Sequence, residues 1–243
     1  MQRPCGMTLR TAALSDIGQV RPENEDSILR DDAHQLYAVA DGIGGLPAGA
    51  QASRATVDTL DAWFRRRQPG QDYDYVDCIS EVNRAVHDLG RSLSPIYGIG
   101  STLTATHFKN NQLVVLHVGD STLFRVRSGE IDVLTVEHNL GNEIRARIAR
   151  GETVTNFNEN RSALTRCIGQ PPPLKGDVTT HDVISGDRYL LCSDGITRAV
   201  LAPELNRLMV DIPDPMALCR RLINRANEMG GMDNASAVVV YVP

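Results

Sequence analysis

The sequence predicts an α+β fold in which antiparallel sheets are covered by helices. Three observations carry that expectation. Short apolar runs of strand length recur along the 243 residues, each bounded by turn-forming residues. These runs come in clusters separated by blocks of helical periodicity, whereas a parallel α/β sheet would alternate strand with helix. Tight polar connections, such as Lys109-Asn110-Asn111-Gln112 and Ser128-Gly129-Glu130, join successive runs as hairpins do.

The first clear strand is residues 36–40, an unbroken apolar run that meets Asp41-Gly42. Behind it, Ala52, Thr56, Leu60 and Trp63-Phe64 fall on one helical face. Arg65, Arg66 and Arg67 close that helix, where positive charge complements the dipole; a solvated helix end accounts for them better than a binding patch. Val76, Ile79, Val82, Val86, Leu89 and Leu93 form a second helical stripe, ended by Gly98-Ile99-Gly100. Residues 101–108 and 113–118 read as paired strands and, with 123–126 and 131–136, make an antiparallel meander. Residues 138–161 change character. A short charged helix at 143–150 precedes a polar stretch at 151–161 with Asn156, Asn158 and Asn160, and a small mobile surface flap is expected there. Pro171-Pro172-Pro173 is a rigid extended loop. Residues 189–192 form another buried strand, ending at Ser193-Asp194-Gly195. Helices follow at 203–210 and 215–229, the latter with Met216, Cys219, Leu222, Ile223, Ala226 and Met229 on a stripe that belongs to the core. Residues 237–242 are the last strand.

No linker, repeat or low-complexity tract interrupts the chain, so residues 1–243 are expected to be a single domain, and a hydrophobic content of 42% is ample for its core. The net charge of −5 argues against a general nucleic-acid binder, which needs a basic face. The five cysteines are odd in number and form no CxxC pair, which leaves a zinc site or disulfide framework unsupported. Cysteine usage of this kind fits a reducing cytosol, and Cys192 reads as a buried core thiol. No stretch approaches the ~20 apolar residues that span a bilayer, and the N-terminus shows no cleavage signal. A cytoplasmic monomer without nucleic-acid or membrane partners is expected.

Chemistry gathers at the ends of the strands. Asp41, Asp120, Asp194 and Asp233 each stand where an apolar run begins or ends, beside a small or turn-forming residue. Any one Asp-Gly pair is first of all a hairpin signal. As a set, acids on rigid elements without paired His or Cys suit a hard cation such as Mg²⁺, Mn²⁺ or Ca²⁺. The segment from Ser15 to Asp26 is too densely polar for a plain turn; the guanidinium fork of Arg21 matches phosphate oxygens, and Glu25 and Asp26 can hold metal-bound waters. The alternative for this segment is an exposed acidic loop with Arg21 as its salt-bridge partner.

These segments, in this order, resemble the PP2C (PPM-type) family of metal-dependent protein serine/threonine phosphatases, its bacterial branch above all. The matching stretches are Ser15-Asp16-x-Gly18…Arg21…Asn24-Glu25-Asp26, Val39-Ala40-Asp41-Gly42-Ile43-Gly44-Gly45, Gly100-Ser101-Thr102-Leu103-Thr104, Val118-Gly119-Asp120-Ser121, Leu164-Thr165-Arg166-Cys167-Ile168-Gly169, Leu191-Cys192-Ser193-Asp194-Gly195 and Asp233-Asn234. The resemblance implies a central β-sandwich of two antiparallel sheets flanked by helices, α-β-β-α, with metals at one end. It implies that Asp41 bridges two Mn²⁺ or Mg²⁺ ions, that the Gly42 carbonyl contacts one of them, and that Asp194 and Asp233 complete the other. Glu25 and Asp26 would act through metal waters, Asp120 would help Asp194 hold a third ion, and Arg21 would bind the phosphate. Two metals can lower the pKa of a shared water to give hydroxide near neutral pH, and that hydroxide would attack phosphorus in line. Ser193 is then a turn or supporting residue, since no G-x-S-x-G elbow surrounds it.

Some positions depart from the family pattern. Ile43 and Leu46 stand where eukaryotic and many bacterial members, respectively, carry a histidine, so a water is expected to protonate the leaving alkoxide. Thr122 stands where an arginine is usual. Of the remaining histidines only His138 lies near the flap, and a surface position is expected for it. The resemblance further implies a phosphoprotein substrate made by a serine/threonine kinase, in pairs of the kind that control bacterial processes including secretion. A folded pseudophosphatase that only binds phosphoproteins is the alternative, and a metal-dependent nuclease a more distant one that the acidic charge balance disfavours.

Overall fold

A computed structural model of the chain describes residues 8–67, 72–153 and 160–243. Ten strands and six helices succeed one another among them. In chain order the strands are β1 (Arg10–Asp16), β2 (Asp26–Asp31), β3 (Leu36–Asp41), β4 (Leu103–Lys109), β5 (Gln112–Val118), β6 (Thr122–Arg127), β7 (Glu130–Val133), β8 (Asp177–Asp182), β9 (Arg188–Cys192) and β10 (Ala235–Tyr241). The helices are α1 (Gly49–Arg65), α2 (Tyr75–Leu93), α3 (Leu140–Ala149), α4 (Asp194–Ala199), α5 (Ala202–Asp211) and α6 (Pro215–Glu228).

The strands make two five-stranded antiparallel sheets, ordered β1-β10-β9-β6-β7 and β2-β3-β4-β5-β8. Their inner faces meet in a core that includes Tyr37, Val39, Phe108, Val115, Leu123, Tyr189, Leu191, Val238 and Val240. The alternate residues of the same strands face outward onto helices. Leu36, Ala38, Ala105 and Leu116 pack under α1 and α2 through Leu60, Trp63, Ile79, Val82 and Val86. Leu190, Cys192, Ala237 and Val239 pack under α4, α5 and α6 through Ile196, Leu205, Leu218, Leu222 and Ile223. Strands buried on both faces explain the unbroken apolar runs, and the expected α-β-β-α sandwich is what forms.

Several elements differ from the sequence reading. β1 and β2 flank the polar segment at residues 15–26 and were not expected as strands; β1 pairs along its whole length with β10, from Arg10↔Tyr241 to Asp16↔Ala235, and takes its order from that partner. β8, Asp-Val-Thr-Thr-His-Asp, is a largely polar edge strand recruited by β5. α4 is six residues long, too short to announce itself by periodicity. β7 stops at Val133, short of the expected 136, where Leu123 N–H donates to the Thr135 hydroxyl at 3.1 Å instead of to a backbone carbonyl of the neighbouring strand. α3 begins at Leu140, ahead of the expected 143, because the Asn139 side chain caps it by accepting from Asn142 N–H at 2.8 Å. Part of the expected flap, residues 154–159, lies outside the described residues. The segments at either end of the expected flap are tied together: Leu140 N–H donates to the Ala163 carbonyl and Gly141 N–H to that of Arg161.

Candidate active site

Antiparallel pairing decides where the acids go. β3 ends at Asp41 and β2 begins at Asp26, and the two are register partners. β5 and β9 end just before Asp120 and Asp194, and β10 begins just after Asp233. These strand ends share one rim of the sandwich, and a cleft of about 620 Å³ opens there, lined by Arg21, Glu25, Asp41, Gly42, Asp120, Asp194 and Asp233 among others. Asp26 lies beneath it, 8% exposed. All eight residues singled out in the sequence are therefore at one place.

Backbone contacts fix the acids with little slack. Asp41 N–H donates to Thr102 Oγ1 at 2.9 Å, and Thr102 N–H returns a bond to the Asp41 carbonyl at 2.8 Å. Gly42 N–H donates to the Glu25 carbonyl at 3.0 Å, tying β3 to the N-terminal segment. A side chain is excluded at Gly42, where a Cβ would stand 2.4 Å from the Gly49 carbonyl, and at Gly195, where it would stand 2.0 Å from that of Asn234. The glycines after Asp41 and Asp194 are there for close backbone approach, and neither is the hairpin corner that Asp-Gly usually marks. The Glu25 carboxylate accepts from Gly49 N–H at the start of α1, a position that favours negative charge. Asn234, matched in sequence but given no role there, is the clamp of the loop: its Oδ1 accepts from Glu25 N–H at 2.8 Å and its Nδ2 donates to the Ile17 and Glu23 carbonyls.

The electrostatics are those of anions short of cations. Burial pushes the Asp41 carboxyl well above its usual range, and Asp26, Asp194, Asp120 and Asp233 push it further. Burial raises Asp26 to about 6 against hydrogen bonds from Ser236 and Ser193. Burial and then Asp194 raise Asp120 to about 6. Asp194 is raised by burial, with Arg198 the largest opposing influence. Two arginines supply part of the missing charge. Arg21 reaches Asp233 through Nε and Nη2, both at 3.0 Å. Arg198, which the sequence reading did not single out, spans Asp194 at 2.5 Å and Asp233 at 3.1 Å. Its only sequence signal was its place one helical turn after Asp194.

Among the described residues no three His, Cys, Asp or Glu side chains stand as a formed metal-binding group. Asp233 and Asp194 face guanidinium groups, and Asp26 Oδ2 accepts from Ser193 Oγ at 2.7 Å. The donor set nevertheless fits a hard divalent cation. Every candidate donor is an oxygen, the carboxylates destabilise one another's charge, and Asp26 Oδ1 is buried without a donor. Ser193 also accepts from Ser236 N–H at 3.0 Å, so its hydroxyl is committed to structure.

Among the described residues that line the cleft there is no histidine; Ile43 and Leu46 occupy the wall. Thr122, in place of the usual arginine, is buried at 4% exposure beside Asp120. His138 corrects an expectation: it is 2% exposed, accepts at Nδ1 from Gly119 N–H at 3.2 Å, and meets Asp177 at 3.1 Å through Nε2. Since Gly119 N–H can only donate, Nδ1 accepts and Nε2 carries the proton toward Asp177. Both partners are far off in sequence, which hid its burial.

Comparison with known proteins agrees with this geometry. The family model described as Protein phosphatase 2C matches residues 21–235. The chain belongs to that family. It is 33% identical over 240 residues to the serine/threonine protein phosphatase PstP of Mycobacterium tuberculosis, covering 97% of this chain but 45% of PstP; it thus spans about half the length of that relative. Among solved structures, PppA of Pseudomonas aeruginosa, described as a key regulatory component of T6SS, superposes with a TM-score of 0.83 at 31% identity, covering 98% of this chain and 99% of that one. The catalytic domain of PstP, in complex with two manganese ions, superposes with a TM-score of 0.81 at 31% identity, covering 96% and 97%.

Proposed function

We infer that this PP2C-family chain is a metal-dependent protein serine/threonine phosphatase, with residues 1–243 acting as one phosphatase domain. The observation that carries the reading is one cleft lined by Asp41, Asp120, Asp194, Asp233 and Arg21, with Asp26, the register partner of Asp41, beneath it. Asp41, the Gly42 carbonyl, Asp194 and Asp233 would hold two Mn²⁺ or Mg²⁺ ions, Glu25 and Asp26 would hold their waters, and Asp120 with Asp194 a third ion. When bound, such ions supply an acidic water and charge to offset phosphoryl oxygens.

The chain's own residues do the rest. Arg21, oriented by its two bonds to Asp233, presents its remaining guanidinium face to a phosphate. Backbone bonds to Thr102 keep Asp41 fixed, so its position needs no rearrangement at the moment of reaction. With no histidine in the cleft wall, a solvent water protonates the departing serine or threonine oxygen. The substrate is a phosphoprotein of a serine/threonine kinase, met in the cytoplasm by a monomer of this chain; the free thiols at Cys78, Cys167, Cys192 and Cys219 support a reducing compartment. The likeness to PppA supports a regulatory role.

The test is Mn²⁺-dependent turnover of a phosphothreonine peptide. The wild type should turn over, and Asp41→Asn should lose at least about 10³-fold in kcat, since the ions Asp41 would help hold would supply several kcal/mol of charge stabilisation. Absence of wild-type turnover, or full turnover by the variant, would overturn the reading.

A further inference from the structure

Beside the cleft lies a second hollow of about 270 Å³ that shares Arg21, Arg198 and Asp233 with it. Its far wall is Ala199, Met229 and Met232. Met229 was expected to finish the core stripe of α6. The helix instead ends one residue earlier, and Met229 is 55% exposed, with Met232 at 67%. The chain turns sharply between them through Gly230 and Gly231, both at positive φ, and that turn aims both methionines outward. On the adjoining turn, joined to it by Gln19 N–H to the Gly231 carbonyl at 2.8 Å, Val20 is exposed at 56% immediately before Arg21.

Scattered exposed apolar side chains are ordinary. Here two of them form the wall of a concavity that opens directly from the proposed phosphate-binding arginine. The guanidinium groups on the shared wall are each already paired with Asp194 or Asp233, and the remaining lining is glycine, alanine and methionine, so what the hollow adds beside the phosphate position is thioether and methyl surface. Methionine is the side chain best able to adjust to different apolar partners.

We propose that this hollow is a specificity subsite that receives an apolar side chain of the substrate polypeptide within two residues of the phosphorylated serine or threonine. The inference rests on the phosphatase reading above. An extended chain advances at most about 3.6 Å per residue, so a phosphate on Arg21 places its near neighbours along the wall that Arg21 shares with the hollow. The volume suits one large aliphatic or aromatic side chain.

The experiment compares p-nitrophenyl phosphate with phosphothreonine peptides carrying Leu, Ser or Asp at each position from two before to two after the phosphorylated residue. The wild type should prefer Leu over Ser at one of these positions by about tenfold or more in kcat/KM, the scale of filling an apolar pocket. In Met229→Ser/Met232→Ser the preference should fall to within about twofold through KM, while kinetics on p-nitrophenyl phosphate stay unchanged. No Leu preference in the wild type, a preference for Asp, or a preference that survives the double substitution would overturn the subsite. Failure of the wild type on p-nitrophenyl phosphate and all peptides alike would instead overturn the phosphatase reading, and the subsite with it.

Discussion

Replacing Arg198 with alanine should tighten Mn²⁺ binding while loosening the metal-free fold. Arg198 stands on the exposed side of α4 and bridges Asp194 and Asp233, at 2.5 and 3.1 Å. These are the two carboxylates proposed to share one ion, so an incoming cation must displace the guanidinium. The side chain is 58% exposed, and exposed pairs are worth only about 0.2–1 kcal/mol each. Two of them give about 0.4–2 kcal/mol, or an affinity change of about 2- to 30-fold. The same interactions, lost from the metal-free protein, should lower its Tm by about 1–8 °C for a domain of this size.

Two other effects must be separated from displacement. Removing any nearby positive charge strengthens the field on a cation, and Arg198→Lys keeps that charge while losing the planar fork that spans both acids. Removing Arg198 also lets the Asp194 pKa rise further, since Arg198 is the chief influence opposing burial there; proton competition then blunts the gain at low pH, and a titration near pH 7.5 minimises it. Calorimetric titration with Mn²⁺, with thermal unfolding in EDTA alongside, reads both quantities. Displacement predicts that Arg198→Lys moves most of the way from wild type toward Arg198→Ala. Unchanged or weaker Mn²⁺ binding in Arg198→Ala would refute the reasoning, as would a lysine variant indistinguishable from wild type.

Gly195→Ala must move α4 or β10, because the new Cβ would lie 2.0 Å from the Asn234 carbonyl; a loss of about 1–3 kcal/mol in urea unfolding is expected, with phosphatase turnover reduced through the displaced Asp194. Asp187 is 1% exposed and accepts from Arg127 Nε and Nη2, both at 2.7 Å, from Tyr189 Oη at 2.8 Å and from Ile184 N–H at 3.0 Å. Asp187→Ala leaves Tyr189 Oη and Ile184 N–H without their acceptor, while Arg127, 27% exposed, keeps the Asp182 carbonyl and water; a cost of about 1–3 kcal/mol is expected. Burial alone would raise the Asp187 pKa, but these bonds, Arg127 first, hold it below the usual 3.8. Its contribution is therefore complete above that value and lost as pH falls through the folded pKa, so the stabilities of variant and wild type should converge in acid. Burial lowers His107 to about 4 and His117 to about 3. The unfolded chain binds their protons first, so stability should fall as pH drops below about 6.5, by up to about 1.4 kcal/mol per pH unit for each histidine. Urea unfolding at pH 7.5, 6 and 5 measures this, and His117→Asn should remove about one proton's worth of the slope.

The sequence exposed what was encoded locally and concealed what depended on partners. Asp41, Asp120, Asp194 and Asp233 were legible because each interrupts or borders a run of residues buried on both sheet faces, where a charge stands out. β8 was not legible: its Thr179, Thr180 and His181 carry no apolar pattern, and β5 supplies the ladder that orders them. Glu25 and Asp26 stood out only as part of a densely polar segment and not from the strand-end pattern, because β2 mixes charges into its strand and takes its register from β3. His138 and Arg198 were missed or misplaced for the same reason, as their partners arrive from other elements.

The Asp-Gly pairs show why pattern and geometry must be weighed together. As a dipeptide, Asp-Gly argues for a hairpin through positive φ at glycine. Gly42 and Gly195 have no positive φ, and what they lack is room: the Gly49 carbonyl passes one and the Asn234 carbonyl the other. Both intruding segments carry site components, since Gly49 holds the Glu25 carboxylate and Asn234 holds the Glu25 backbone. Each glycine thus lets the backbone of one sheet's strand end approach another element closely enough for acids distant in sequence to share a cleft. A cluster of carboxylates raised by burial and then by mutual repulsion is unstable by itself, and the close backbone packing, with two arginines as resident counter-ions, is what holds it assembled ahead of any cation.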